Sequence, residues 1–333
     1  MVLVTGATGF VGQHLVRHLQ ARGYAIRVLV RNPERLGRIA GLFDEYHEGD
    51  LTDPASLEGA ADGVVAVLHA ACAVAGTFDS SEGAVASFLQ VNRDGTEALA
   101  HEVLRHPGLR LVHVSSTAAM GPQTGTHVDE SAPCNPRTPY QRSKYEAEQV
   151  LLRLHREADL NVVLIRPCVV AGRGKDKSEL LTLLRWTRLG PIPLPAGAES
   201  LTKPMIWIDD LCQALLAGID RGQPGGIYLV HSDGGHTLGG ILDAAARVWG
   251  RERGWMPIPA APFRAAATLF EAVQKRIPSF NPPLTHDRLR LLTQDRHLDI
   301  SRARRELGWQ PTTTDAFYML RETWQGYRDA GVL

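Results

Sequence analysis

The chain has 333 residues, 44% of them hydrophobic, which suits one large or two fused globular units with a real core. Its 36 basic and 36 acidic side chains cancel, so neither a nucleic-acid partner nor a charged, disordered tail is expected. Cys72, Cys134, Cys168 and Cys212 stand far apart, no apolar run reaches membrane-spanning length, and the first residues already read as a strand; the expectation is a cytoplasmic protein with free thiols and no stable membrane insertion.

Short apolar strands alternate with helical patterns along the first half. Val2 to Val4 reads as a strand, followed by a glycine turn and a helix carrying Phe10, Val11, Leu15, Val16 and Leu19 on one side. Further strands are expected at Ala25 to Val30, around Tyr46, and at Val64 to His69, Leu111 to Ser115 and Val162 to Arg166. Helices are expected from Asp53-Pro54 through Leu57, over about Glu82 to Leu104, and over Tyr140 to Arg156. This alternation predicts an α/β fold with a doubly wound parallel sheet buried on both faces. Past Arg166-Pro167 the texture becomes irregular, but Met205 to Ile208 and Ile227 to Val230 look like strands returning to the main sheet.

Val4-Thr5-Gly6-Ala7-Thr8-Gly9-Phe10-Val11-Gly12 joins the first strand to the first helix. Gly6 permits the tight turn, Gly9 lets the backbone approach a pyrophosphate, and Gly12 lets the helix pack on the sheet. The helix start, with Thr8, Phe10 and Val11 around it, offers N–H groups and a positive dipole end to the phosphates. Residues 1–170 therefore read as a Rossmann-type dinucleotide-binding domain to which 204–232 return; 171–203 and 233–333 read as a smaller, discontinuous substrate-binding lobe. The second strand ends in Arg31 and not in an acid. A guanidinium cannot accept from ribose hydroxyls but pairs well with a 2′-phosphate, so NADP is favoured, with NAD as the alternative. Asp50, after the third strand, is placed to touch the adenine amine or to cap a helix.

Tyr140 and Lys144, in Tyr-Gln-Arg-Ser-Lys, share one helix face. A phenol with a pKa of about 10 is a poor base at neutral pH, and a nearby ammonium favours its phenolate. Ser116 ends the fifth strand, at the carboxyl edge where ligands bind in such sheets, and can donate to a substrate oxygen. Ser115 and Thr117 are rivals that point the opposite way, so only one set faces the site. In the reductive direction Tyr140 gives the proton, Lys144 lowers the phenol pKa and holds the nicotinamide ribose, Ser116 polarises the carbonyl, and the cofactor delivers the hydride.

In this order the residues resemble the extended short-chain dehydrogenase/reductase family (NAD-dependent epimerases/dehydratases) over essentially the whole chain. Gly49-Asp50-Leu51, His69-Ala70-Ala71, Val91 through Thr96, Arg166-Pro167, Ile208-Asp209-Asp210 and Leu307 through Pro311 carry the likeness further. The resemblance implies cofactor contacts at Leu51, Ala70, Ala71, Asn92, Tyr140, Lys144, Pro167 and Val169. It also implies a homodimer through the helices bearing Asn92 and Tyr140, and it gives the serine role to Ser116, counted back from Gly121. Val28 through Pro33 looks like the dihydroflavonol-reductase and 3β-hydroxysteroid-dehydrogenase branch. That implies an oxidoreductase whose small-molecule substrate is an apolar or aromatic hydroxy or keto compound, steroid- or flavonoid-like.

Departures from the pattern narrow the reading. Thr117-Ala118-Ala119 lacks the Asp-Glu pair of sugar dehydratases, and Lys203-Pro204-Met205 replaces the Arg-Asp-aromatic run of nucleotide-sugar epimerases. Two alternatives stay open: such an epimerase with tightly bound NAD, and a non-catalytic NADP-binding sensor. No metal is expected, because His14 and His18 have no third ligand near them in sequence. The stripe Phe263, Ala267, Phe270 and Ile277 reads either as a lid over an apolar substrate or as plain core.

Overall fold

The computed structural model describes residues 1–74, 82–123, 127–174, 179–277, 280 and 282–332, and every candidate site residue lies among them. In chain order the first elements are β1 (Val2–Thr5), α1 (Phe10–Ala21), β2 (Ile26–Val30), β3 (Glu45–Glu48), β4 (Ala66–His69), α2 (Glu82–Phe88), α3 (Gly95–Leu104), β5 (Arg110–Val114), α4 (Pro139–Ala158) and β6 (Val162–Pro167). Then come β7 (Val169–Ala171), α5 (Glu179–Leu189), β8 (Ile192–Pro195), β9 (Met205–Trp207), α6 (Ile208–Arg221), β10 (Gly226–Val230), α7 (Leu238–Arg247), β11 (Trp255–Ile258), α8 (Ala260–Arg276), α9 (His286–Thr293) and α10 (Ala316–Asp329).

Seven strands pair in parallel in the order β10-β6-β5-β4-β1-β2-β3, the expected doubly wound sheet. The order turns back between β1 and β4, so a ligand crevice opens at the carboxyl ends of those two strands. Val2 and Val4 face one hydrophobic cluster, with Leu15, Val16 and Leu19 of α1 and Leu211 and Leu215 of α6. Leu3, between them, faces the other, with Leu99 and Val103 of α3 and Leu151 of α4. Both faces are covered, which is why β1 is apolar throughout its first three positions.

Met205–Trp207 does not return to the main sheet. β9 pairs with β7 in a two-stranded parallel ribbon just past the end of β6, and of the two expected strands only β10 rejoins. All three β9 residues are buried there, so an apolar strand pattern does not say which sheet receives it. The helix expected over Glu82 to Leu104 is interrupted by a π segment, Leu89–Asp94. Directly after it Gly95 meets the turn that follows β3, where a Cβ would lie 2.8 Å from the Leu51 Cβ. Pro54–Leu57 is a short 3₁₀ stretch, which Asp53 precedes without a side-chain cap. α8 lies largely on the surface. Along the stripe Ala267 is buried, Phe263 and Phe270 are partly buried, and Ile277, just past the helix end, is 53% exposed, so only part of the stripe packs as core.

Candidate active site

β1 delivers the chain into the glycine turn. Gly6 has a φ of 69°, and a Cβ on it would lie 2.5 Å from the Ala71 nitrogen. A Cβ on Gly12 would lie 2.1 Å from the Gly6 oxygen. The Ala70-Ala71 stretch after β4 is thus drawn tight against the glycine turn at the mouth of the crevice. Gly9 is the N-cap of α1, no side chain caps that helix, and no acid stands in its first turn. An open helix start beside two glycines that admit no Cβ fits a pyrophosphate, so these residues fit a dinucleotide.

Arg31, at the end of β2, is 68% exposed, and its Nη1 lies 3.7 Å from Asp50 Oδ2. Asp50 Oδ1 accepts from the Thr52 N–H and hydroxyl, at 2.9 Å each. Partial burial works against the Asp50 charge, but Thr52 and Arg31 outweigh it and hold the carboxyl below its ordinary range. Asp50 therefore organises its own turn, above a buried Leu51.

α4 has a firmly set beginning. The Thr138 hydroxyl accepts from the Gln141 N–H, the Gln141 side chain accepts from the Thr138 N–H, and Pro139 takes the first position. Tyr140 follows in the first turn, its ring edge-on to the buried Phe88 with 5.7 Å between centroids. Lys144, one turn on, is 2% exposed and donates from Nζ to the Val114 carbonyl at 2.8 Å. Val114 ends β5, and Ser116 lies two residues beyond it. The Ser116 oxygen accepts from the Ala118 N–H at 3.1 Å, which leaves its hydroxyl proton for another acceptor. Ser115 is taken out of contention, because it is buried and donates to Glu148. Thr117 is buried in the short 3₁₀ turn that Ser116 caps.

Behind these groups lies a layer that sequence reasoning missed. Glu148, on the same face of α4 one turn past Lys144, is fully buried. Its carboxylate accepts from Arg166 Nε and Nη2 at 2.8 and 2.7 Å, and from the Ser115 hydroxyl. Arg166 sits next to Pro167 at the end of β6, so one ion pair pins α4 to the ends of β5 and β6. Spacing of four along Tyr140, Lys144 and Glu148 was the signal that could have found it.

Asn92 lies in the π segment and holds the loop after β4. Its Oδ1 accepts from the Ala73 N–H at 2.7 Å, and its Nδ2 donates to the Ala73 carbonyl at 3.2 Å and to Ser143 at 3.0 Å. His69 is equally committed. Thr96 donates to the Asn92 carbonyl, so its oxygen accepts from His69 Nε2 at 2.9 Å, and His69 Nδ1 accepts from the Thr5 hydroxyl at 2.7 Å. The His113 ring is 5.0 Å from that of His69, and neither of its nitrogens has a partner among the described residues. Burial first, and then the Lys144 charge, push His69 down to about 3 and His113 well below its ordinary value, so both are neutral. Pro167 ends β6, and Val169 opens β7 with its side chain partly exposed.

His18 bonds Asp209 at 2.9 Å and His14 bonds the Arg173 carbonyl at 2.9 Å, which ties α1 to its neighbours. Asp209 and Asp210 lie within the first turn of α6. Asp210 is buried and accepts from Thr312 and Thr313, so its role is structural. Among the described residues, Asp62, Glu102 and His106 are grouped closely enough to hold a metal ion, but Glu102 already accepts from the Gly59 and Ala61 N–H groups.

The model of the NAD dependent epimerase/dehydratase family matches residues 2–230. The chain belongs to this family. It is similar to the sterol demethylase protein B of Methylococcus capsulatus, 32% identical over 338 residues and 99% of each chain. It is also similar to the UDP-glucose 4-epimerase of Vibrio cholerae, 27% identical over 94% of this chain and 91% of that one. Among solved structures, that of gox2253 superposes with a TM-score of 0.83 at 26% identity, over 100% of this chain and 99% of the other. This epimerase/dehydratase-family member is an enzyme with oxidoreductase activity, and its family is NAD dependent. No helix among its described residues is long and apolar enough to cross a membrane.

Proposed function

We propose that this enzyme is an NADP-dependent alcohol dehydrogenase or ketoreductase acting on an apolar, steroid- or flavonoid-like hydroxy or keto compound. The observation that carries the reading is the Lys144 bond to the Val114 carbonyl at the end of β5, two residues before Ser116, with Tyr140 one turn earlier on the capped start of α4. The bound dinucleotide supplies or takes up the hydride. Tyr140 exchanges the proton with the substrate oxygen, Lys144 stabilises its phenolate, and Ser116 donates to that oxygen. Neutral His69 and His113 add no charge that would compete with Lys144. The exposed guanidinium of Arg31 supports NADP over NAD. The name of the Methylococcus relative supports a sterol-like substrate.

A nucleotide-sugar epimerase is the second reading. Lys203 favours it: burial and the neighbouring Arg296 charge lower this side chain to about 8, and an anionic diphosphate would relieve the repulsion. The two readings separate in a spectrophotometric screen. Steady consumption of NADPH with a steroid ketone, and none with UDP-glucose, is the expected result. Purified enzyme that interconverts a UDP-sugar with no added cofactor would overturn it. A homodimer through the helical segments bearing Asn92 and Tyr140 belongs to the same proposal, and light scattering that finds only monomer would remove it.

A further inference from the structure

We infer that the exposed end of the substrate lobe, where Trp186 and Leu189 stand among arginines, is a docking surface for an anionic lipid bilayer. α5 ends in Arg185, Trp186, Arg188 and Leu189, all exposed, with Trp186 at 54% and Leu189 at 83%. The chain then runs through Gly190 to Pro193, and these residues with Trp186 and Leu189 line a shallow cavity of about 310 Å³. β8 pairs with β11, which sets Met256, 46% exposed, opposite Pro193.

Arginines surround this apolar ground. Arg188 lies over the Trp249 ring at 5.4 Å, and Arg253 over the Trp255 ring at 4.3 Å. A Cβ on Gly190 would lie 3.7 Å from Arg251 Nη1, so the 251–253 loop borders the cavity. Glu252 in that loop and Asp243, which accepts from Gly254 and Trp255 beside it, stand against Arg185, Arg188, Arg251 and Arg253, in a chain whose overall charge is zero. Clustered exposed apolar side chains mark an interaction surface. Charge complementarity selects the partner. A bilayer with anionic headgroups takes the arginines at its surface, and Trp186 and Leu189 at the acyl boundary. A second copy docked face to face would instead oppose like charges.

The inference is independent of which substrate is turned over, because vesicle binding is read without substrate or cofactor. The full chain is sedimented with phosphatidylcholine vesicles, with and without phosphatidylglycerol. Binding is expected only to the anionic vesicles and should fall as salt rises. Trp186→Ser with Leu189→Ser should weaken it at least about tenfold. Arg251→Gln with Arg253→Gln should weaken it about fivefold for each charge removed. Turnover of a soluble alcohol should be unchanged in both variants. No sedimentation, equal affinity for neutral vesicles, or wild-type binding by both variants would overturn the inference. So would a dimer that Trp186→Ser with Leu189→Ser dissolves, since the patch would then face another copy of the chain.

Discussion

Replacing Glu148 by Gln removes one buried charge and keeps its shape. The side chains of Glu148 and Arg166 are 0% and 3% exposed, and two N–H···O contacts of 2.8 and 2.7 Å balance the guanidinium. In the variant that guanidinium stays out of water uncompensated, and its Nη1 already lacks a partner among the described residues. Breaking a buried pair from one side costs about 3–5 kcal/mol. The glutamine oxygen can still accept from Arg166, which argues for the lower end, about 3 kcal/mol. In a chain of this size each kcal/mol moves Tm by about 2 °C, so the melt should fall by about 6 °C. Removing both charges, as Glu148→Leu with Arg166→Met, should recover most of that loss, since burying the pair costs about as much as its attraction returns. Scanning fluorimetry gives the melts, and turnover measured well below them reads the position of Lys144 against Val114. Turnover should fall in Glu148→Gln while the protein is still folded. A melt within about 1 °C of wild type, or a double variant no better than the single one, would refute the reasoning.

Arg31→Asp should reverse the cofactor preference from NADPH to NADH, because a carboxylate repels a 2′-phosphate and accepts from ribose hydroxyls; an unchanged ratio of kcat/KM values for the two cofactors would remove the argument from charge. Stability should also fall on the acid side. His69 drops from 6.5 to about 3 on folding and His113 drops in the same direction, so the unfolded chain binds protons that the folded one refuses. Their contribution is fully present above pH 6.5 and is lost as the pH falls from there toward 3. By pH about 4.5 His69 alone should cost about 2–3 kcal/mol. His113→Phe, which also removes two buried nitrogens without partners, should flatten that decline in urea melts run across pH; an equally steep decline in the variant would count against the cause given.

The glycine turn, the parallel sheet covered on both faces and the Tyr140–Lys144 spacing were legible because each rests on local chemistry. Gly6 and Gly12 admit no Cβ, β1 is apolar because both its faces are covered, and four residues make one helical turn. What was not legible depends on partners far away in the chain. β9 is three buried residues, and nothing in Met-Ile-Trp says that β7 and not β10's sheet receives it. Glu148 reads as an ordinary charged residue, and Arg166 as part of a family motif with no partner named, until the fold brings α4 against β6. The α8 stripe has helical spacing whether it faces core or solvent, and Ile277 faces solvent. The π segment that places Asn92 has no composition of its own.

Hydride transfer by the wild type and by Tyr140→Phe, followed through the absorbance of the reduced nicotinamide with a steroid alcohol, tests the proposed chemistry most directly. The variant is expected to bind the dinucleotide nearly as tightly as the wild type, because the proposed seat is the glycine turn, and to turn over at least about 100-fold more slowly. Turnover equal to that of the wild type would contradict a proton-transfer role for Tyr140.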